Sequence, residues 1–313
     1  MSNFDELYAG LNARQKQAVD AIDGPVMVIA GPGTGKTQIL AARIMNIRQQ
    51  TDTAPENILC LTFTDAGSTA MQKRLMKFMG NDAYRVNIHT FHGLCNRIIS
   101  EFPEHFSKRD LRVMDDLERI EIVQKIISDL PATSLIKDYS SNNFSTHRTL
   151  LSLWKIMDEV NLDASQITQN VEILKDHAAY LEAFPEHAYK KNMPSENALK
   201  GDLNKKKYND NHSFWNKLKE AAQLLDVYKK HKADAGVYEF NDMIDWVYQK
   251  FKNDPDFKQI IQEKYQYVLV DEFQDTSGKQ ADILYYLIDY YEDNPNCFVV
   301  GDDDQSIYAF QGA

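Results

Sequence analysis

The sequence predicts an α/β protein, a parallel sheet flanked by helices with an all-α subdomain inserted into it. Short apolar runs at 26–30, 58–63, 268–270 and 297–300 have the length of buried strands, and turn signals and helical patterns follow the first three. Between about Phe102 and Gly236 the pattern is helical, with few strand signals. Strand runs lie on both sides of that stretch, so the outer segments must close into one sheet and the ends of the insertion must meet in space.

In chain order, the first strand at 26–30 runs into a glycine-rich turn and a helix. The second, at 58–63, is followed by another helical pattern, and 86–90 is a fainter fifth strand. In the middle, Leu111, Met114, Leu117, Ile120, Val123, Ile126, Ile127 and Leu130 recur near the ~3.6-residue helical period, as one amphipathic helix or a close pair. Two polar stretches, 137–149 and 190–212, read as loops. The second holds Lys205, Lys206 and Lys207, a solvated face before it is a nucleic-acid contact. The expected division is a discontinuous sheet domain, 1–101 with 236–313, and an inserted helical subdomain, 102–235.

The bulk properties narrow the class. A chain of 313 residues with 43% hydrophobic and 26% charged residues has an ordinary globular composition. Thirty-five basic against 46 acidic residues give a net charge of −11. That disfavours a protein that coats nucleic acid with its whole surface, while leaving room for a local groove. Cys60, Cys95 and Cys297 show no disulfide or metal spacing, as expected in a reducing compartment. Residues 1–8 include Asp5 and Glu6 and have no long apolar run, unlike a signal peptide. No run approaches the roughly 20 apolar residues of a membrane span. The cytoplasm is the expected location.

The chemistry-bearing motifs lie at strand ends. Ala30-Gly31-Pro32-Gly33-Thr34-Gly35-Lys36-Thr37 joins a strand to a helix and fits the phosphate-binding P-loop, with Ala30 in place of the first glycine. Its glycines let backbone N–H groups turn onto phosphates, and the helix N-terminus adds its dipole. Lys36 supplies positive charge to the β and γ phosphates, and Thr37 a hydroxyl ligand for magnesium. The bland alternative is a tight glycine turn. Val268-Leu269-Val270-Asp271-Glu272 ends an apolar strand in two carboxylates. There Asp271 would hold magnesium and Glu272 would activate water. An acidic pair at a strand end is often only solvated; the P-loop gives this one its meaning. In Gly301-Asp302-Asp303-Asp304-Gln305, Gln305 could sense a γ-phosphate, although composition alone favours a surface turn.

Six segments occur in one order: Leu11-Asn12-Ala13-Arg14-Gln15, 30–37, 61–75, Thr90-Phe91-His92-Gly93, 270–276 and 300–308. Together they resemble the superfamily 1 DNA helicases of the UvrD/Rep/PcrA type. The resemblance spans nearly the whole chain and thins in the helical middle. It implies a RecA-like P-loop NTPase sheet, ATP and Mg2+ as cofactors, and single-stranded DNA and duplex junctions as partners. Gln15 would read the adenine edge, and Gly31, Pro32, Gly33, Thr34, Gly35, Lys36, Thr37 and Gln38 would surround the nucleotide. Thr62, Phe63 and Thr64 match a first single-strand contact, with Phe63 stacking on a base. Thr90, Phe91 and His92 match a second, with His92 on phosphate, and Tyr308 and Phe310 match the aromatic end of the last motif. The short motif Tyr238-Glu239-Phe240-Asn241-Asp242 marks the return from the insertion.

The chain departs from the family pattern at Gln38, Asp65, Ala66, Phe310 and Gln311, where basic or different residues are usual. This implies weaker or more salt-sensitive strand binding. The family continues beyond the sixth segment into a second motor domain whose arginines complete the ATP site. On that pattern the chain is the first motor domain with its inserted subdomain, part of a longer 3′ to 5′ helicase, and weak in hydrolysis by itself. A helicase–nuclease subunit and a non-hydrolysing, nucleotide-gated module are the alternatives.

Overall fold

The computed structural model describes residues 3–31, 33–106, 111–137, 143–193, 198–291 and 294–302. The chain forms two compact units, 1–109 with 239–313, and 110–238. In the first unit, α1 (Asn3–Ala9) and α2 (Ala13–Asp20) precede β1 (Val26–Ile29), α3 (Lys36–Gln50), β2 (Ile58–Thr62), α4 (Asp65–Met79), β3 (Asn87–Thr90) and α5 (Phe91–Glu101). The second unit runs through β4 (Arg112–Val113), α6 (Asp116–Asp129), α7 (Asn143–Glu159), α8 (Ala164–Ile173), α9 (His177–Ala183), α10 (Lys205–Asp234) and β5 (Val237–Tyr238). The first unit resumes with α11 (Phe240–Asn253), α12 (Pro255–Lys264), β6 (Tyr267–Val270), α13 (Gly278–Ile288) and β7 (Cys297–Gly301). No helix among the described residues is long and apolar enough to cross a membrane.

The main sheet is parallel, in the order β1-β7-β6-β2-β3. The chain leaves β1, skips two positions to lay down β2 and β3, and fills the gap with β6 and β7 after the insertion. β2 and β6 are buried at every residue, which accounts for their unbroken apolar runs. β1 corrects the expectation of a buried strand. It lies at the edge, so only one face meets the core, and Met27 and Ile29 are 66% and 73% exposed. The fainter fifth strand is real: β3 pairs with β2 from Leu59↔Asn87 to Thr62↔Thr90.

One face of the sheet packs on α2, α3 and α4 through Val19, Leu40, Ile44, Ile47, Met71, Leu75, Leu269 and Phe298. Inside this core lies Arg43, whose Nη1 and Nη2 donate to Ala18 O (2.8 Å) and Ile22 O (3.0 Å). Its guanidinium stands 4.4 Å from the Phe298 ring centre. Burial pulls Arg43 down to about 10, so it stays charged at neutral pH. Asn46 Nδ2 adds a bond to Val19 O at 3.0 Å. Together they satisfy carbonyls at the end of α2 that would otherwise be orphaned in the core.

In the second unit, β4 and β5 form a two-residue parallel ladder, Arg112↔Val237 and Val113↔Tyr238. The ends of the insertion therefore meet, as sheet closure requires. The core gathers Val123, Ile126, Leu150, Trp154, Met157, Ile167, Val171, Ala222 and Tyr228. Trp154 stacks on Tyr228 at 4.8 Å, and its Nε1 donates to Ala221 O at 2.8 Å. Three expectations need correction here. The periodic segment from Leu111 is not helical throughout. Asp115 and Glu118 form a capping box that starts α6 at Asp116, leaving Leu111 and Met114 outside it. Part of the 137–149 loop is the first turns of α7, whose polar residues face outward while His147, Leu150, Trp154 and Met157 form its buried stripe. The 190–212 loop likewise ends at α10, where the Asn204 side chain accepts from Lys207 N (3.1 Å) and Lys205, Lys206 and Lys207 form an exposed first turn.

His89 on β3 gives the fold a pH dependence. Arginine can only donate, so Arg97 Nη1, 3.3 Å from His89 Nε2, fixes the neutral tautomer with its proton on Nδ1. Burial first, then the Arg97 charge, lowers the imidazole to about 4. The unfolded chain binds this proton more readily, so the contribution is full above pH ~6.5 and is lost as pH falls toward 4. Replacing His89 by Gln should flatten unfolding free energy against pH between 7 and 5 by about 1 kcal/mol per pH unit. Denaturant titrations of both proteins check this; parallel pH profiles would count against it.

Candidate nucleotide site

The site grows from the turn between β1 and α3. Gly33 and Gly35 have φ of 71° and 85°, a left-handed conformation that a side chain would strain. Thr34 Oγ1 donates to Gly31 O at 2.7 Å and tightens the loop. Pro32 lies outside the described residues. α3 begins at Lys36 with no capping side chain, so its first N–H groups are available to an anion. Thr37 and Gln38 follow in the same turn.

The acidic half comes from β6. Asp271 N donates to Leu61 O at 2.8 Å, extending the sheet one residue beyond the strand. Glu272 then turns left-handed at φ 51°, ψ 48°, a conformation that costs a non-glycine residue about 1 kcal/mol or more. The turn brings Glu272 Oε2 to 2.5 Å from Lys36 Nζ. Lys36 is only 9% exposed. Residues 236 positions apart meet because β7 alone separates β1 from β6.

Negative charge is in excess here. Burial first, and then the neighbouring Glu272 charge, raise the Asp271 carboxyl to about 6. The same two causes raise Asp275, whose Oδ1 is buried without a hydrogen-bond partner. Asp302 is also buried, at the end of β7. Among the described residues no group of three or more His, Cys, Asp or Glu side chains forms a metal cage. Magnesium, however, is commonly held by one or two carboxylates together with substrate phosphates. Asp271 beside the glycine-rich turn, in surplus negative charge, fits that requirement.

Gln15 is set on the other side of the turn. Asn12 and Gln15 form the capping box of α2, with Asn12 N donating to Gln15 Oε1 at 2.8 Å. Gln15 Nε2 donates to Thr34 O at 2.9 Å. Both ends of the amide are therefore in use, and the Arg43 and Asn46 bonds hold α2 to the P-loop helix.

The carboxyl ends of β2 and β3 carry the other predicted positions. Thr62 is 2% exposed, with its hydroxyl 2.6 Å from Ser68 Oγ. Thr64 and Thr90 cap α4 and α5 by accepting from Gly67 N (3.0 Å) and Gly93 N (3.1 Å). Phe63 is half-buried. Phe91 is 5% exposed and packs inward. His92 is half-buried, and its Nε2 lies 2.9 Å from Asn241 Oδ1. The motif expected only to mark a boundary thus touches a predicted site residue. Gln305, Tyr308 and Phe310 lie outside the described residues. Sequence reasoning gave no role to Asp275 or to Gln274, which bonds Glu272, although both lie in the 270–276 segment that carries the resemblance.

The chain was compared with known proteins by sequence. The profile of the UvrD/REP helicase N-terminal domain matches residues 11–313. A probable DNA helicase II homolog of Rickettsia felis is 28% identical over 100% of this chain and 40% of its own length. The ATP-dependent DNA helicase PcrA of Bacillus subtilis is 27% identical over 99% of the chain and 35% of its own length. PcrA of Staphylococcus aureus strain Mu50 is 28% identical over 97% and 34%. The chain thus spans well under half the length of these relatives. With the family profile covering nearly every residue, the chain belongs to the UvrD/REP helicase N-terminal domain family.

Proposed function

We propose that this chain is the ATP-binding first motor domain, with its inserted helical subdomain, of an ATP-dependent DNA helicase that moves 3′ to 5′ along single-stranded DNA. The observation that carries the proposal is the meeting of Lys36 and Glu272, beside Asp271, at the carboxyl edge of the sheet. Lys36 and the first N–H groups of α3 hold the β and γ phosphates, and Thr37 and Asp271 hold Mg2+. Bound there, the metal supplies charge neutralisation on the phosphates. Arriving phosphate competes for Lys36 and frees Glu272 to orient and deprotonate the attacking water. Gln15 reads the adenine by exchanging one of its two hydrogen bonds.

Phe63, Thr64, Thr90 and His92 line the proposed strand path at the ends of β2 and β3, next to the nucleotide edge. The relatives' additional length is where we assign the second motor domain and its arginines, on which full hydrolysis depends. The DNA partners are single strands and duplex junctions. Three buried free thiols suit a reducing compartment, and we assign the protein to the cytoplasm.

In the full-length protein, Lys36→Ala should weaken fluorescent ATP-analogue binding about tenfold or more, because a buried charge on phosphate is lost. Glu272→Gln should leave that affinity nearly unchanged and lower steady-state turnover by about 10²-fold or more. Turnover at the wild-type rate in Glu272→Gln would instead indicate a nucleotide gate that does not use hydrolysis. Turnover by the chain alone should fall about 10³-fold or more below the full-length protein.

Stacking and charge separate on the DNA side. Phe63→Ala should weaken single-strand affinity by about 1 kcal/mol, the lower end of the stacking range, because the ring is half-buried. The loss should be the same at low and high salt, since stacking releases no counterions. Fluorescence anisotropy at two ionic strengths measures it, and a loss confined to low salt would contradict the stacking role.

A further inference from the structure

Glu272 touches Lys36, but it is held from the other side by Gln274. Gln274 Nε2 donates to Glu272 Oε2 at 2.9 Å and to Asp275 Oδ2 at 3.3 Å. Its Oε1 accepts from Asp302 N at 3.0 Å. One side chain thus ties the turn after β6 to the end of β7. The amide is suited to this place, because one end must donate to carboxylates while the other accepts from a backbone N–H. A glutamate would set an acceptor against two carboxylates.

Gly301 makes room for the clamp. A Cβ at that position would stand 2.8 Å from Gln274 Oε1, and 3.4 Å and 3.5 Å from Gln274 N and Phe273 Cβ. Gly301 has no left-handed φ, so it is the close approach of Gln274, and not backbone conformation, that calls for glycine. The Lys36 and Gln274 contacts both fall on Glu272 Oε2. Oε1 has no protein partner among the described residues, and the side chain is 37% exposed. Gln274 therefore turns one carboxylate oxygen toward the protein and the other outward.

We infer that Gln274 is a positioning residue for the proposed hydrolysis. It fixes the Glu272 carboxylate so that Oε1 can accept a proton from water, and it couples that orientation to the end of β7. The inference rests on the nucleotide-hydrolysing reading above. If Lys36 passes to a phosphate, Gln274 is the remaining contact that holds Oε2. A misplaced base costs rate while leaving nucleotide grip intact, because Gln274 touches none of the groups assigned to the phosphates.

The test uses the full-length protein and measures DNA-stimulated ATP turnover beside binding of a fluorescent ATP analogue. Gln274→Met keeps the chain length and removes the amide; kcat should fall on the order of 10²-fold, with KM and analogue affinity within about threefold. Gly301→Ala displaces the same amide from the β7 side and should lower kcat by a similar factor. The double variant should be no worse than either single variant, since both break one linkage. Unchanged kcat in Gln274→Met, a loss carried by KM alone, or additive losses would overturn the inference. If Gln274→Met does not fold, Gly301→Ala decides the matter, because its new methyl meets mainly the free end of a side chain. A wild-type protein that hydrolyses no ATP would defeat the hydrolytic reading itself, a result distinct from failure of the clamp.

Discussion

The meeting of Lys36 and Glu272 depends on how the sheet is filled. β1 and β2 are laid down with two empty places between them, and β6 and β7 enter those places only after the insertion. The strands run parallel, so every carboxyl end arrives at one edge. The P-loop, the acidic pair and the start of the last motif are therefore neighbours, however far apart they lie in sequence. A shift of one strand position would separate Lys36 from Glu272 by about another 4.8 Å. The β4–β5 ladder serves this arrangement, because by holding the two ends of the insertion together it keeps a long detour compatible with a closed sheet.

Charge at this edge is unbalanced by design of the fold rather than by overall composition. Asp271, Glu272 and Asp275 share one lysine, Lys36, and burial raises the proton affinity of Asp271 and Asp275. Such a cluster repels itself unless cations join it. The left-handed turn at Glu272 adds local strain, which the ladder bond from Asp271 N and the Gln274 clamp restrain on either side. Strain and like charge are tolerable here because the surrounding β2, β6 and β7 are fully packed.

Much of this was legible in the sequence, for reasons that differ by element. β2 and β6 are buried on both faces, so their apolar runs stand out. The P-loop is legible because only glycine adopts its backbone easily, and the acidic pair because two carboxylates follow an apolar strand. β1 misled because an apolar run does not tell which face is covered. The starts of α7 and α10 misled because exposed helical turns share the polar composition of loops, and only a cap such as Asn204 separates them. The contacts of Gln274, Arg43 and Asn241 were illegible because each acts on residues brought close only by the fold.

The threonines show how the two halves of the proposed motor are connected. Thr64 and Thr90 each end a strand turn and cap the next helix, so their hydroxyls are committed to backbone N–H groups. Each hydroxyl keeps its own O–H to donate, so a strand contact at these positions can come from that proton, from the backbone or from neighbours such as Phe63 and His92. The contacting atoms are then fixed to the same strand ends that carry Asp271 and the P-loop. β2 is hydrogen-bonded directly to β6, and Asp271 N bonds to Leu61 O one residue before Thr62. Displacement of Asp271 by a nucleotide would be felt at Thr62 through one hydrogen bond and one peptide. On the proposed reading, rigid strands let a small change at the phosphate reach the proposed DNA edge without a hinge within the sheet.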